Sequence, residues 1–211
     1  MPPEAQNTLY YVHDPMCSWC WGFRPTWLAF RQKIPQNLNL VTLVGGLAPD
    51  SDQPMAQGLR DGIQQAWQQI QQVIPGTEFN FDFWTDNTPR RSTYPACRAV
   101  IAARHLNNME DEMTLAIQQA YYLKALNPSD LSTLTDAAVE IGLDKDAFVE
   151  LMTSASIENM LSHELAEVRS IGVSSFPSLV LETGMCLKDI KIDYNHPDRM
   201  IEQINSALES S

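Results

Sequence analysis

Apolar positions along this chain change period twice. Leu9-Tyr10-Tyr11-Val12-His13 is a short apolar and aromatic run, and Asn37 to Val44 alternates apolar and polar residues with many β-formers. Both predict strands, the first stopped by Asp14-Pro15 and the second closed by Gly45-Gly46. From Cys17 onward Trp21, Arg24, Trp27, Leu28 and Arg31 recur at spacings of three and four, which predicts a helix carrying Pro25 as a kink. The first part of the chain therefore reads β-α-β, a crossover that is normally right-handed.

From about Pro54 to Leu165 the period is helical. Ile63, Ala66, Trp67, Ile70 and Val73 form an apolar stripe on a Gln-rich segment, which makes that segment a solvated amphipathic helix rather than a low-complexity tract. Glu78 to Trp84 alternates like a strand but sits between helices, and is read as an extended aromatic loop. Further helices are expected over Tyr94–Leu106, Glu110–Leu126, Ser129–Ile141, Lys145–Met152 and Ile157–Ser170. Asn127-Pro128-Ser129-Asp130 supplies turn and cap residues, Gly142 a helix end, and Gly172 another. Strand character returns in Pro177–Glu182 and Cys186–Ile192, joined by Thr183-Gly184 as an antiparallel hairpin. A last amphipathic helix, Pro197–Leu208, places Met200, Ile201, Ile204 and Leu208 on one face.

Composition narrows the function. Among 211 residues, 44% are hydrophobic, enough for a real core, and the formal net charge is −12. A chain this acidic, without a Lys/Arg cluster, repels phosphate backbones and anionic membrane surfaces, so neither nucleic acid nor membrane is expected as a partner. No apolar run is long enough to span a bilayer, and Met1 to Asn7 has neither a basic region nor an apolar stretch of the kind that opens a secretory signal. A cytoplasmic location is the expectation.

Four cysteines are too few for a disulfide-stapled scaffold. In a reducing compartment the close pair in Cys17-Ser18-Trp19-Cys20 points to catalysis or metal binding. At a helix start the first sulfur of such a pair meets unpaired backbone N–H groups and the positive end of the helix dipole, both of which favour a thiolate. The thiolate is the form that attacks a disulfide, and a second cysteine one turn later can resolve the mixed disulfide. That assigns Cys17 as nucleophile and Cys20 as resolving thiol. A zinc site needs two more ligands; Cys97 and Cys186 stand alone, and none of His13, His105, His163 and His196 forms a partner pair, so no metal is expected.

The segment Asp14-Pro15-Met16-Cys17-Ser18-Trp19-Cys20-Trp21-Gly22-Phe23 resembles the active-site segment of the DsbA family of thioredoxin-fold oxidoreductases, in particular its cytosolic, FrnE-like, disulfide-isomerase branch. Pro25, eight residues after Cys17, and Gly172-Val173-Ser174-Ser175-Phe176-Pro177 before the hairpin agree with it, over nearly the whole chain. The resemblance implies an α/β, thioredoxin-like domain over 1–49 and 166–211 with a large inserted all-helical domain over 50–165. It implies that Pro177 is a cis-proline facing the dithiol and that the backbone of Phe176 pairs with substrate; Trp19, by its place between the cysteines, is expected to be partly exposed as an apolar platform for substrate. Two departures qualify this. Ser18-Trp19 lacks the histidine found between the cysteines of strong oxidants, which implies a milder couple. Phe176 is bulkier than the usual valine or threonine, which favours apolar or small substrates.

The remaining candidates have plainer readings. His13 is a possible modulator of the thiolate, more simply a structural histidine. Asp14 reads as a turn or cap residue rather than a buried proton acceptor. Trp21 and Phe23 serve as platform or core, Cys97 as a small buried hydrophobe, and Cys186 as a hairpin residue. The expected partners are a thiol- or disulfide-containing protein or small molecule and a redox-recycling partner. No cofactor beyond the dithiol is expected, with glutathione a possible substrate. The competing functions are a glutathione-dependent transferase or isomerase of the kappa and 2-hydroxychromene-2-carboxylate isomerase type, in which Cys20 has no role, and a chaperone-like binding protein using the helical block.

Overall fold

The computed structural model describes residues 7–209. Met1 to Gln6, on which most of the signal-peptide reading falls, lie outside the described residues. The strands β1 (Thr8–His13), β2 (Asn39–Val44), β3 (Ser178–Thr183) and β4 (Cys186–Ile190) form one sheet in the order β2-β1-β3-β4. β1 pairs parallel with β2, from Thr8 opposite Asn39 to His13 opposite Val44. It pairs antiparallel with β3, from Thr8 opposite Glu182 to Val12 opposite Ser178. The two ends of the chain thus meet along β1, which has no free edge.

Alternation along β1 sends its side chains to two covered faces. Leu9 and Tyr11 pack with Leu179 and Leu181 against Phe23, Trp27 and Phe30 of α1 (Ser18–Arg31) and Met200 and Ile204 of α9 (Pro197–Glu209). Val12, Leu43 and Val180 face the other way, onto Val168 and Val173. Full burial of a side chain such as Phe23 or Phe30 contributes about 1.5–3 kcal/mol, so this layer fixes both the strand and the helix that flank the dithiol. α1 runs through Pro25, whose ring faces solvent.

Between the two halves lie α2 (Gln57–Val73), a single turn α3 (Phe83–Asp86), α4 (Tyr94–Asn107), α5 (Glu110–Tyr122), α6 (Leu131–Glu140), α7 (Lys145–Met152) and α8 (Ala155–Ser170). α4 is the axis of this block: every residue from Ala96 to Ala103 is buried, because its alanines let neighbouring helices approach on all sides. α8 passes without a break through residues 165 and 166, so one helix belongs to both the block and the sheet layer.

Some element ends differ from the pattern, each for a local reason. α5 stops at Tyr122 rather than Leu126, because Asn80 and Asn87 take the carbonyls of Tyr122 and Ala125, and Ala125 adopts φ +54°. The aromatic loop after Glu78 ends in α3, whose turn is closed by N–H groups of Thr85 and Asp86 on the Asp82 carbonyl. Phe79, Phe81, Phe83 and Trp84 then surround Trp67. β4 ends at Ile190 because the Gln203 side chain of α9 bonds both backbone groups of Lys191. Asp130 stands at the N-cap of α6 without a side-chain cap bond, and its carboxylate pairs with Arg90 instead. Gly142 and Gly172 end their helices at φ +90° and +77° as expected.

Candidate active site

β1 ends at His13, and Asp14 turns the chain. The Asp14 carbonyl accepts the Cys17 N–H at 3.0 Å, and its Oδ1 accepts the Met16 N–H at 2.7 Å. Cys17 then becomes the N-cap of α1 in extended conformation. Its sulfur occupies the place of a capping oxygen, accepting the Cys20 N–H at 3.4 Å. From the opposite side the Cys17 thiol donates to the carbonyl of Phe176 at 3.4 Å. The second contact needs the proton on sulfur; the first serves thiol and thiolate alike.

The Phe176–Pro177 bond is cis, and Val12 opposite Ser178 sets that bend beside the start of α1. Cys17, Trp19 and Phe176 line one cleft of about 320 Å³, and Arg90, Arg91 and Tyr121 from the helical block complete it. Trp19 is half-buried, with its ring 5.1 Å from that of Tyr194. Phe23 belongs to the interior and is fully buried, whereas Trp21 is half-buried, stacking on Tyr122 at 5.7 Å and donating to the Glu78 carbonyl at 3.0 Å. Cys186 is exposed on the distant hairpin.

The two sulfurs face different spaces. Cys17 is 6% exposed and opens to the cleft, whereas Cys20 is 1% exposed and opens to an inner recess that it shares with His13. Burial, reinforced by its bonding to Cys17, pushes the Cys20 thiol well above the ordinary cysteine range. His13 is buried and stacked on Tyr11 at 5.2 Å; burial lowers its pKa to about 4, so the imidazole is neutral.

Asp14 corrects the sequence expectation. It is a turn residue, but also a fully buried carboxyl. Its Oδ2 accepts the Leu47 N–H at 2.7 Å, the Thr93 hydroxyl at 2.8 Å and the Cys97 S–H at 3.6 Å. Burial raises its pKa, with these donors opposing. Cys97 is fully buried, as expected, and reaches a polar partner that a hydrophobe lacks. Thr93, Arg90, Arg91 and Tyr121 come from the helical block with no spacing signal linking them to Cys17. Gly45, read only as a strand end, lies against the Phe176 ring. Among the described residues no group of three or more His, Cys, Asp and Glu side chains is placed to hold a metal ion.

A dithiol capping a helix beside a cis-proline, on a mixed sheet ordered β2-β1-β3-β4, defines a thioredoxin-fold protein. The profile of the DSBA-like thioredoxin domain matches residues 8–193, and the chain belongs to that family of thiol–disulfide oxidoreductases. Among solved structures it is similar to a candidate protein disulfide isomerase from Nitrosomonas europaea, at 27% identity and TM-score 0.83 over 98% of this chain and 99% of the other. It is also similar to the cytosolic disulfide reductase DsbM from Pseudomonas aeruginosa, at 25% identity and TM-score 0.74 over 97% of this chain and 100% of the other. The same reductase with GSH aligns at 24% identity and TM-score 0.73, over 96% and 99% of the two chains. No curated protein matches the sequence. No described helix is long and apolar enough to cross a membrane.

Proposed function

We propose that Cys17 and Cys20 carry out thiol–disulfide exchange through a mixed disulfide, in the cytoplasm, as a mild couple. The observation that carries this reading is the position of the Cys17 sulfur: it caps α1 on one side and meets the Phe176 carbonyl next to a cis-proline on the other. The Cys17 thiolate attacks a substrate disulfide; the new Cys17–substrate bond forms and the substrate bond breaks, releasing one substrate thiol. Cys20 then attacks Cys17, the Cys17–substrate bond breaks, and the second substrate thiol leaves with a proton. The substrate is reduced and the pair oxidised, and a dithiol or two monothiols of a recycling partner restore it. In the opposite direction the same steps oxidise a substrate dithiol and reduce the pair; where another substrate thiol displaces Cys17 from the mixed disulfide, the substrate is isomerised with no net redox change.

A small thiol such as glutathione is a second substrate on this reading. The cleft beside Cys17 is of ligand size, and Arg91 in its lining offers a cation to a carboxylate, beside Arg90, which is paired with Asp130. Trp19 and Phe176 supply its apolar walls, and Pro177 holds the Phe176 backbone toward the sulfur. A solved structure of the same fold was obtained with GSH, which makes glutathione the small thiol to try first. The paired thiols speak against a glutathione transferase, which has no use for Cys20, and against a purely chaperone-like role. The test is trapping. Cys20→Ser is expected to accumulate mixed disulfides with reduced-and-reoxidised insulin or with oxidised glutathione, and Cys17→Ser to abolish turnover. Full insulin reduction by Cys20→Ser would overturn the dithiol mechanism. A reduction potential measured against glutathione then sets the direction.

A further inference from the structure

The recess behind Cys20 has no part in the exchange as written above. Its volume is about 10 Å³, room for a single water molecule. His13, Thr114 and Gln118 line it with Cys20, and all four are buried. Gln118 is 1% exposed, and its Oε1 has no hydrogen-bond partner among the described residues. A buried acceptor without a partner is uncommon in folded proteins, and ordered water is the usual remedy. Of the other polar residues of the lining, Tyr11 is buried, whereas Arg24 and Asp111 both reach solvent. The recess thus lies between Cys20 and two partly exposed side chains, and shares no lining residue with the substrate cleft.

We propose that one ordered water, anchored on Gln118 Oε1, occupies this recess and carries the Cys20 proton to and from solvent past Arg24 and Asp111. The inference rests on the dithiol reading and specifies how its second half proceeds. The front offers Cys20 no direct exit: the cleft is lined by Cys17 and not by Cys20, and a substrate bonded to Cys17 would stand between Cys20 and that opening. In the resolving step the Cys20 S–H bond breaks, its proton passes to the water, and its electron pair forms the bond to Cys17 Sγ. The Cys17–substrate bond breaks, its pair leaves on the substrate sulfur, and that sulfur takes up a proton from solvent. One proton leaves at the Arg24–Asp111 mouth and one is consumed at the cleft, so the step balances.

The surroundings suit a neutral relay. The titratable groups facing the recess are Tyr11 and His13 from β1, Cys20 and Arg24 from α1, and Asp111 from α5, which pairs with Arg31; Cys17 and Asp14 also act on Cys20, and Arg104 of α4 acts on His13 from a distance. Burial keeps Tyr11 protonated and His13 uncharged, so neither competes for the proton as a fixed ion. Gln118, Thr114 and His13 give one water the two to four polar partners it needs. Gln118 acts through the water, and is a positioning residue.

Gln118→Met keeps the volume and removes the anchor. It is expected to slow the release of substrate from the Cys17 mixed disulfide at least about tenfold, to shift the pH profile of that step upward, and to change its solvent isotope effect. Alkylation of Cys17 by iodoacetamide should stay at the wild-type rate. Gln118→Glu is expected to restore fast release with a profile shifted toward lower pH, which a merely structural role would not do. Thr114→Val is the second variant should Gln118→Met fail to fold, with a smaller slowing of the same step. Normal release in both Gln118→Met and Thr114→Val, or equal slowing of Cys17 alkylation, would overturn the relay while leaving the dithiol reading intact. No mixed disulfide in Cys20→Ser would overturn both.

Discussion

The Phe176 ring lies against the backbone of Gly45, and a methyl group placed on Gly45 would overlap it. Gly45 N–H also donates to the His13 carbonyl at 2.7 Å, so the residue is held to the end of β1 and cannot retreat. The bulky residue before the cis-proline is therefore matched by a missing side chain on the neighbouring strand end. Gly45→Ala is expected to push the Phe176 ring, and with it the carbonyl that meets Cys17, at a cost of about 1–3 kcal/mol. Phe176→Val alone should open the cleft with a smaller loss. The double variant is expected to recover most of the stability lost in Gly45→Ala. Denaturant unfolding of the four proteins, with Cys17 alkylation rates alongside, checks this; additive losses would remove the claimed coupling.

Four donors converge on the Asp14 carboxyl, from the Met16 and Leu47 backbones, Thr93 and Cys97. Asp14→Asn keeps one oxygen but turns an amide NH₂ toward donors, and is expected to cost about 2 kcal/mol. Its pH dependence has a definite sign. The folded carboxyl holds its proton to higher pH than the unfolded one, so its contribution is complete in acid and is lost as pH rises through the raised value. The advantage of wild type over Asp14→Asn should therefore be greatest in acid and narrow as pH rises. An advantage that widens toward neutral pH would mean that Asp14 is ionised in the folded protein.

The dithiol, its helix and the β-α-β and β-β-α halves are legible in the sequence, because each rests on local chemistry: alternation, a turn residue, a spacing of one helical turn; the cis-proline follows from the family resemblance instead. Local signals leave out what lies far along the chain. Arg90, Arg91 and Thr93 reach Cys17 only because α4 begins beside the Asp14 turn, and Gln118 faces Cys20 only because α5 packs behind β1 and α1. Asp14 shows the limit most clearly. Asp-Pro after a strand is a sound turn signal, and it is met; the signal is silent on whether the turn will be covered by residues far along the chain, as Leu47 and Thr93, 33 and 79 positions on, cover it here.

His13 makes stability sensitive to mild acid. Burial lowers its pKa from 6.5 to about 4, so the unfolded chain binds a proton that the folded protein refuses. The contribution is complete above the unfolded value and is lost as pH falls toward the folded one, amounting to at most about 3 kcal/mol. His13→Phe keeps a ring to stack on Tyr11 and removes the titration. The wild-type melting temperature is expected to fall more steeply than that of His13→Phe across this acid range. Parallel curves would show that His13 titrates normally in the folded state.

Arg104 joins the helical block to the sheet. From α4 it pairs with Glu110 and Glu164, and it donates to the Thr42 carbonyl of β2 at 3.3 Å. Glu164, on α8, in turn accepts the Val44 N–H at 2.9 Å. Glu164 is nearly buried, and burial raises its pKa while Arg104 pulls it back. Arg104→Met removes the cation and strands that carboxyl, at a cost of about 3 kcal/mol. Glu164→Gln keeps an acceptor for Val44 and a polar partner for Arg104, and should cost less. The double variant is expected to be more stable than the sum of the two single losses implies, since the stranded charge is gone. Acidification separates this from lost packing. With Arg104 absent the folded Glu164 holds its proton to still higher pH, and protonation relieves the unpaired charge. The penalty of Arg104→Met should be largest near neutral pH and shrink as pH falls, as read by denaturant unfolding at neutral and mildly acidic pH. A penalty independent of pH would assign the role of Arg104 to its aliphatic stem rather than to its charge.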